Sequence, residues 1–305
     1  MLTQTDIRQQ VTDKIVQALQ TGKLPPWRKP WTADPNCGAA RNFVSDKLYR
    51  GINVLILDLS SFRSRWWATY RQWQAAGGQV KRGEKATQIV FFSPIEKWRV
   101  NQDTQQEELD RFFLMRFYSI FNLEQVEGEA LDQYRPVQSD PGLAVASADW
   151  AAADHVVAST GADIRYGGNR ACYTPPAGGE WPNHKAGDYI SIPARTQFPD
   201  VRDFFSTQFH ELGHWTCPRM NWHGNYAMGE LVAELTSAFV SRQLNLPQSE
   251  NLDNSASYLA SWLKAMADDP KFIFQASAQA SKASDFILAF SKQVESEPAA
   301  VDAAE

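Results

Sequence analysis

No stretch of this 305-residue sequence approaches the roughly 18 consecutive apolar residues that a membrane-crossing helix needs, so no membrane partner is expected. The first twenty residues mix both signs of charge and lack the basic start and apolar centre of an export signal, and the expected location is the cytoplasm. Cysteine is scarce. Cys37, Cys172 and Cys217 are odd in number, far apart and in no C-x-x-C pair, which excludes a disulfide framework and fits a reducing compartment. Internal repeats and low-complexity tracts are missing as well, which removes solenoids and biased tails from consideration. Histidine is rarer than tryptophan, with five against eleven, so two histidines within one short motif carry weight.

What is present divides in two. Hydrophobic residues make up 43% of the chain, and its length is about twice the commonest domain size, which predicts two domains of α+β architecture. The net charge of −5 conceals a split: residues 1–100 carry +9 and the remainder −14. Six tryptophans (Trp27, Trp31, Trp66, Trp67, Trp73, Trp98) lie in the basic part. Cations and large aromatic faces together suit a polyanion with stackable rings, since unpaired bases stack on exposed aromatics while Lys and Arg track phosphates.

Along the chain, Ile7, Val11, Ile15 and Leu19 recur at every fourth position before Gly22 and predict an amphipathic helix. Leu24 to Trp31 holds three prolines, which predicts an extended arm displaying Trp27 and Trp31 among Arg28 and Lys29. Arg63 to Ala76 reads as an aromatic helix with Trp66, Tyr70 and Trp73 on one face, a pattern that fits a core stripe better than a stacking platform. A basic turn at Lys81-Arg82-Gly-Glu-Lys85 precedes two strands, Gln88 to Val100 and Arg111 to Phe121. Periodicity then fails, placing a linker over 131–146 between a first domain at 1–130 and a second at 147–295, with a frayed tail over 296–305. The second domain reads as a helix, three short strands ending with Asp188 to Pro193, and four helices; that last strand offers an edge for an extended peptide.

His210-Glu-Leu-Gly-His214 carries the chemistry. Residues four apart on a helix differ by about 400° of rotation and about 6 Å of rise, so both imidazoles leave one face and can reach one metal ion. Glu211 is turned aside, where it can take a proton from water without ligating. A catalytic zinc site wants a third protein ligand, and Glu230 and Glu234, a turn apart on the next helix, are its source. One would ligate and the other would support a ligating histidine; the order seen in zinc peptidases favours Glu230 as ligand, while spacing alone leaves the choice open. His223 and Cys217 are weaker candidates. Tyr226, where that helix starts, either donates to an oxyanion or simply opens the helix. Chance alone would produce such a motif in under about one protein in a hundred of this length. Two histidines and a glutamate accept a divalent metal, zinc first, with manganese or cobalt also suited.

With these residues in view, the sequence resembles the ArdC antirestriction family of conjugative plasmids. The resemblance runs through Leu24 to Trp31, Tyr49-Arg50-Gly-Ile-Asn53, Gly77 to Lys85, Asp188 to Pro193, His210 to Trp215, Glu230 to Glu234 and Ala260 to Lys264. It implies an N-terminal α/β domain that binds single-stranded DNA, a C-terminal zincin-like metallopeptidase domain, and protection of incoming plasmid DNA from host restriction. By the same resemblance His210, His214 and Glu230 would hold the metal and Glu211 would be the catalytic glutamate. The DNA-binding candidates are then Trp27, Arg28, Lys29, Trp31, Arg50, Lys81, Arg82 and Lys85, with duplex DNA a weaker ligand. Where family members often carry Glu beside the ligating glutamate, this chain has Gly229, which removes one local negative charge. Two functions of different class follow: a DNA-binding shield that carries a metal site, and a metallopeptidase that DNA binding recruits to a protein target.

Overall fold

Thr3 opens the chain's first helix by a reciprocal cap with Asp6, and α1 (Gln4–Thr21) buries the stripe Ile7, Val11, Ile15 and Leu19 that its periodicity predicts. The computed structural model describes residues 3–22, 25–28, 34, 36–100, 106–137, 150–175, 187–248 and 253–296. Beyond α1, the basic part contains β1 (Arg41–Asn42), α2 (Ile52–Asp58), β2 (Trp66–Ala68), α3 (Tyr70–Ala75), β3 (Gln79–Val80), β4 (Thr87–Val100), β5 (Glu107–Asn122) and β6 (Val126–Glu127). Four strands form a sheet in the order β1-β2-β5-β4, with β4 and β5 a long antiparallel ribbon in register from Thr87 opposite Ile120 to Val100 opposite Glu107.

Two expectations need correction in this part. The stretch 63–76 is not one helix: Trp66 and Trp67 sit in β2 and face opposite ways, Trp67 into one buried cluster and Trp66 against another. Thr69 and Gln72 then cap each other, so the helix starts only at Tyr70. Residues 131–137 are not linker either. Leu131 is buried among Trp73, Leu123 and Val126, and Arg135 donates to the carbonyls of Leu123 and Val126. The rest of the expected linker and the tail beyond Ser296 lie outside the described residues.

The acidic part adds α4 (Trp150–Ser159), β7 (Ile164–Tyr166), β8 (Cys172–Thr174), β9 (Tyr189–Ile192), α5 (Val201–Arg219), α6 (Tyr226–Gln243), α7 (Asp253–Asp268) and α8 (Phe272–Ser296). The strands order as β7-β9-β8, so β9, expected to offer an edge, is the central strand and β8 is the edge beside α5.

The largest buried cluster belongs to neither part alone. Ile7, Val11, Ile15, Trp27, Leu55 and Met115 of the basic part pack with Leu231, Leu235, Trp262 and Ile273 of the acidic part. A buried Arg242–Asp58 ion pair ties α6 to α2 within the same region. The sequence's charge split therefore does not mark two separate hydrophobic cores.

Candidate metal centre

Helix α5 carries His210, Glu211 and His214, and α6 runs against it closely because residue 213 has no side chain. A Cβ on Gly213 would stand 2.8 Å from the Ala233 Cα. At that separation Glu230 reaches the histidines. Its Oε2 lies 3.4 Å from His210 Nε2 and 3.6 Å from His214 Nε2, and the two ring nitrogens are 3.2 Å apart. One ligand atom from each of the three residues falls within 4.8 Å of the others. Two imidazole nitrogens and one carboxylate oxygen, gathered at a solvent-open cavity of about 890 Å³, form a donor set that fits a divalent ion with an open position.

The charges agree with that convergence. Burial alone would raise the Glu230 carboxyl, yet the hydrogen bonds and charges of His210 and His214 bring it down to about 2. His210 is held above its ordinary range: burial opposes its protonation, and Glu230, Glu211 and Glu234 together outweigh burial.

Glu211 stands outside this trio and is held from the side. Its Oε2 accepts the backbone N–H of Tyr173 on β8 at 2.7 Å. The Tyr173 hydroxyl donates to Asp188 at 3.1 Å, and Arg219 grips Asp188 with two nitrogens at 2.6 and 3.1 Å. Burial and the neighbouring Asp188 push the Tyr173 hydroxyl well above its ordinary range, so it stays protonated as the donor. Asp188 lies below its own range, because Arg219 and Tyr173 outweigh the effect of burial. Asp188 opens a stretch the sequence marks, whereas Tyr173 and Arg219 belong to no motif.

Glu234 does not join the converging atoms. It is 4% exposed and occupied by the basic part of the chain: Trp27 Nε1 donates to it at 3.2 Å and Arg28 holds both oxygens at 2.7 and 3.0 Å. This corrects the expectation of an arm displaying rings and cations. Trp27 is fully buried, edge-on to Trp262, because the packing of α1 against the acidic part encloses it, and Arg28 neutralises a buried carboxylate. Lys29 and Trp31 lie outside the described residues. Arg50 is paired with Asp285 of α8 and donates to the Ser281 carbonyl, so it ties the two parts together. Lys81, Arg82 and Lys85 do form an exposed turn, in which Lys81 also donates to the Glu124 carbonyl at 2.9 Å.

Tyr226 lines the cavity and is 71% exposed, with its hydroxyl 3.1 Å from that of Tyr258, an aromatic that no sequence motif marks. His223 lines the cavity without entering the converging trio. Cys217 is turned back to the Gly213 carbonyl, and burial pushes its thiol up to about 12, away from the thiolate a metal needs.

Fold and site together define a class. Residues 5–121 match the N-terminal domain of anti-restriction factor ArdC, and residues 151–279 match a zincin-like metallopeptidase. Two crystal structures of the antirestriction ArdC protein from R388 plasmid, one metal-free and one Mn(II)-bound, superpose with TM-scores of 0.72 and 0.71. They are 33% and 32% identical in sequence, covering 94% of this chain and 98% of theirs. A protein named uncharacterized protein y4eC, from Sinorhizobium fredii (strain NBRC 101917 / NGR234), is 32% identical over 94% of this chain and 93% of its own length. This chain belongs to the ArdC antirestriction family. It is also 33% identical to the DNA primase TraC of Escherichia coli, matched over 93% of this chain but only 27% of that protein, so it spans about a quarter of TraC.

Proposed function

We propose that this protein is an antirestriction factor that binds single-stranded DNA through its basic part, protecting incoming plasmid DNA, and holds a divalent metal ion at His210, His214 and Glu230. The observation that carries the metal reading is the approach of these three side chains' ligand atoms to within 4.8 Å of one another beside a cavity. Zinc suits the donor set, and manganese or cobalt can replace it. Support for DNA comes from the +9 charge of residues 1–100 and the exposed Lys81, Arg82 and Lys85 turn. The rings expected on the arm have a counterpart on the β4–β5 ribbon, where Phe91, Phe92, Trp98 and Tyr118 are exposed and Arg116 pairs across from Phe91. Stacking on such rings needs unpaired bases, so duplex DNA is the weaker ligand.

The competing reading, an active peptidase on a protein target, is favoured by the way Glu211 is held. When bound, the ion supplies Lewis-acid chemistry that acidifies water and polarises a carbonyl. Glu211, fixed by the Tyr173 N–H and kept off the ligand set, would accept the proton from that water and pass it to the leaving amine. Tyr226 or its partner Tyr258 would donate to the developing oxyanion.

Fluorescence anisotropy with a labelled oligonucleotide tests the DNA reading. Wild type should bind single strands more tightly than duplex, with log affinity falling linearly as log salt rises. Replacing Lys81, Arg82 and Lys85 by Ala should weaken binding and flatten that slope, and Trp98→Ala should cost roughly 1–3 kcal/mol if a base stacks there. Affinity that ignores salt and all four substitutions contradicts the reading.

A further inference from the structure

Glu234 lies one helical turn beyond Glu230 on α6, and Trp27 and Arg28, which donate to it, come from a segment more than two hundred residues earlier. The Arg28 fork meets both oxygens of its carboxylate, Nε on Oε1 at 2.7 Å and Nη2 on Oε2 at 3.0 Å. The Trp27 indole adds a third contact on Oε1 at 3.2 Å. A bidentate guanidinium fixes the plane as well as the position of a carboxylate. Oε2 also stands 3.9 Å from His210 Nδ1, the ring edge opposite the Nε2 that faces Glu230 and His214. Trp27 is itself wedged edge-on against Trp262 at 6.3 Å, so the fork cannot drift without disturbing the largest core.

We propose that Arg28 and Trp27 are positioning residues of the metal centre: by fixing the Glu234 carboxylate against the Nδ1 edge of His210, they set that ring's orientation and hence the site's affinity for metal. The inference rests on reading His210, His214 and Glu230 as ligands. Carboxylates behind ligating histidines set ring orientation, and losing one typically costs 10–100-fold in metal affinity. What is unusual is where the support for this carboxylate comes from. Arg28 falls in the region matching the ArdC N-terminal domain, whereas Glu234 and the ligands fall in the zincin-like region. The metallopeptidase part is therefore incomplete without the DNA-binding part.

Charge and orientation act in opposite directions here, since a guanidinium near a cation repels it while its fork orders the carboxylate. Arg28→Lys separates them, keeping the charge and losing the planar fork. The test is cobalt(II) titration of the full-length, metal-free protein, read by visible absorption, with zinc competition for affinity. Arg28→Lys should weaken cobalt binding on the order of 10-fold and alter the ligand-field bands, and Glu234→Gln should weaken it by roughly 10–100-fold. In the Glu234→Gln background, Arg28→Lys should cause no further loss, because its effect passes through that carboxylate. Trp27→Phe keeps a ring and removes only the indole donor; it should also weaken cobalt binding, and it serves should Arg28→Lys fail to fold. Wild-type cobalt affinity and spectrum in Arg28→Lys and Trp27→Phe, with only the metal-free melting temperature lowered, would overturn the inference. A wild-type protein that binds no cobalt is a different result, and refutes the ligand reading itself.

Discussion

Tyr173 shows how a residue with no motif of its own enters the chemistry: its backbone N–H holds Glu211, and its hydroxyl is anchored by Asp188 and Arg219. The converging His210, His214 and Glu230 were legible in the sequence because a helix converts a four-residue spacing into shared direction, and the same rule named Glu230 and Glu234 as a pair. Glu230 approaches the histidines while Arg28, a tertiary neighbour that spacing cannot show, occupies Glu234. Trp27 was misread for a related reason, since three nearby prolines argue for an extended backbone and say nothing about what packs over it. Asp188 yields a pH prediction. Its carboxyl is depressed in the folded state, so its stabilising contribution is complete above the unfolded-state pKa of roughly 4 and is lost as pH falls through the lower folded value. Asp188→Asn should therefore lower the melting temperature at pH 7, and the gap from wild type should shrink as pH drops below about 4. A gap independent of pH contradicts that role.

At the scale of elements, the second part holds the helix, three short strands and four helices its sequence predicts, and β4 and β5 extend the two expected strands by one to four residues at their ends. The failures were at junctions. Trp66 to Ala68 became a strand because Thr69 and Gln72 place the cap later than the aromatic stripe suggests, and β9 became a central strand because β8 pairs with it, a long-range choice. Gly213 connects element to site, since α5 and α6 touch there with no room for a methyl group. Gly213→Ala should push the helices apart, separate His214 from Glu230, destabilise the protein by about 1–3 kcal/mol as an overpacked core does, and weaken metal binding. Denaturant melts and a metal titration check this; unchanged stability and affinity would show that the helix contact is looser than described.

For the whole molecule, composition and charge argued for two domains, and two family regions do divide the chain, yet one core and several ion pairs run across that division. Charge reports on surfaces and partners, whereas burial decides what folds together. The shared core predicts a single calorimetric unfolding transition with matching van't Hoff and calorimetric enthalpies. Two separated transitions would show that the parts unfold independently. Asp58→Ala, which leaves Arg242 buried without its partner, should cost about 3–5 kcal/mol and lower that one transition as a whole.

We propose that this protein protects incoming DNA by occupying it. The most direct test is the transfer efficiency of an unmodified plasmid into restricting and non-restricting hosts, with wild-type protein, with Glu211→Gln and without either. Wild type should raise transfer only into the restricting host, and Glu211→Gln, still folded and still binding single-stranded DNA, should protect as well. Equal transfer with and without wild-type protein contradicts the antirestriction role, and protection lost in Glu211→Gln alone replaces the shield with a peptidase.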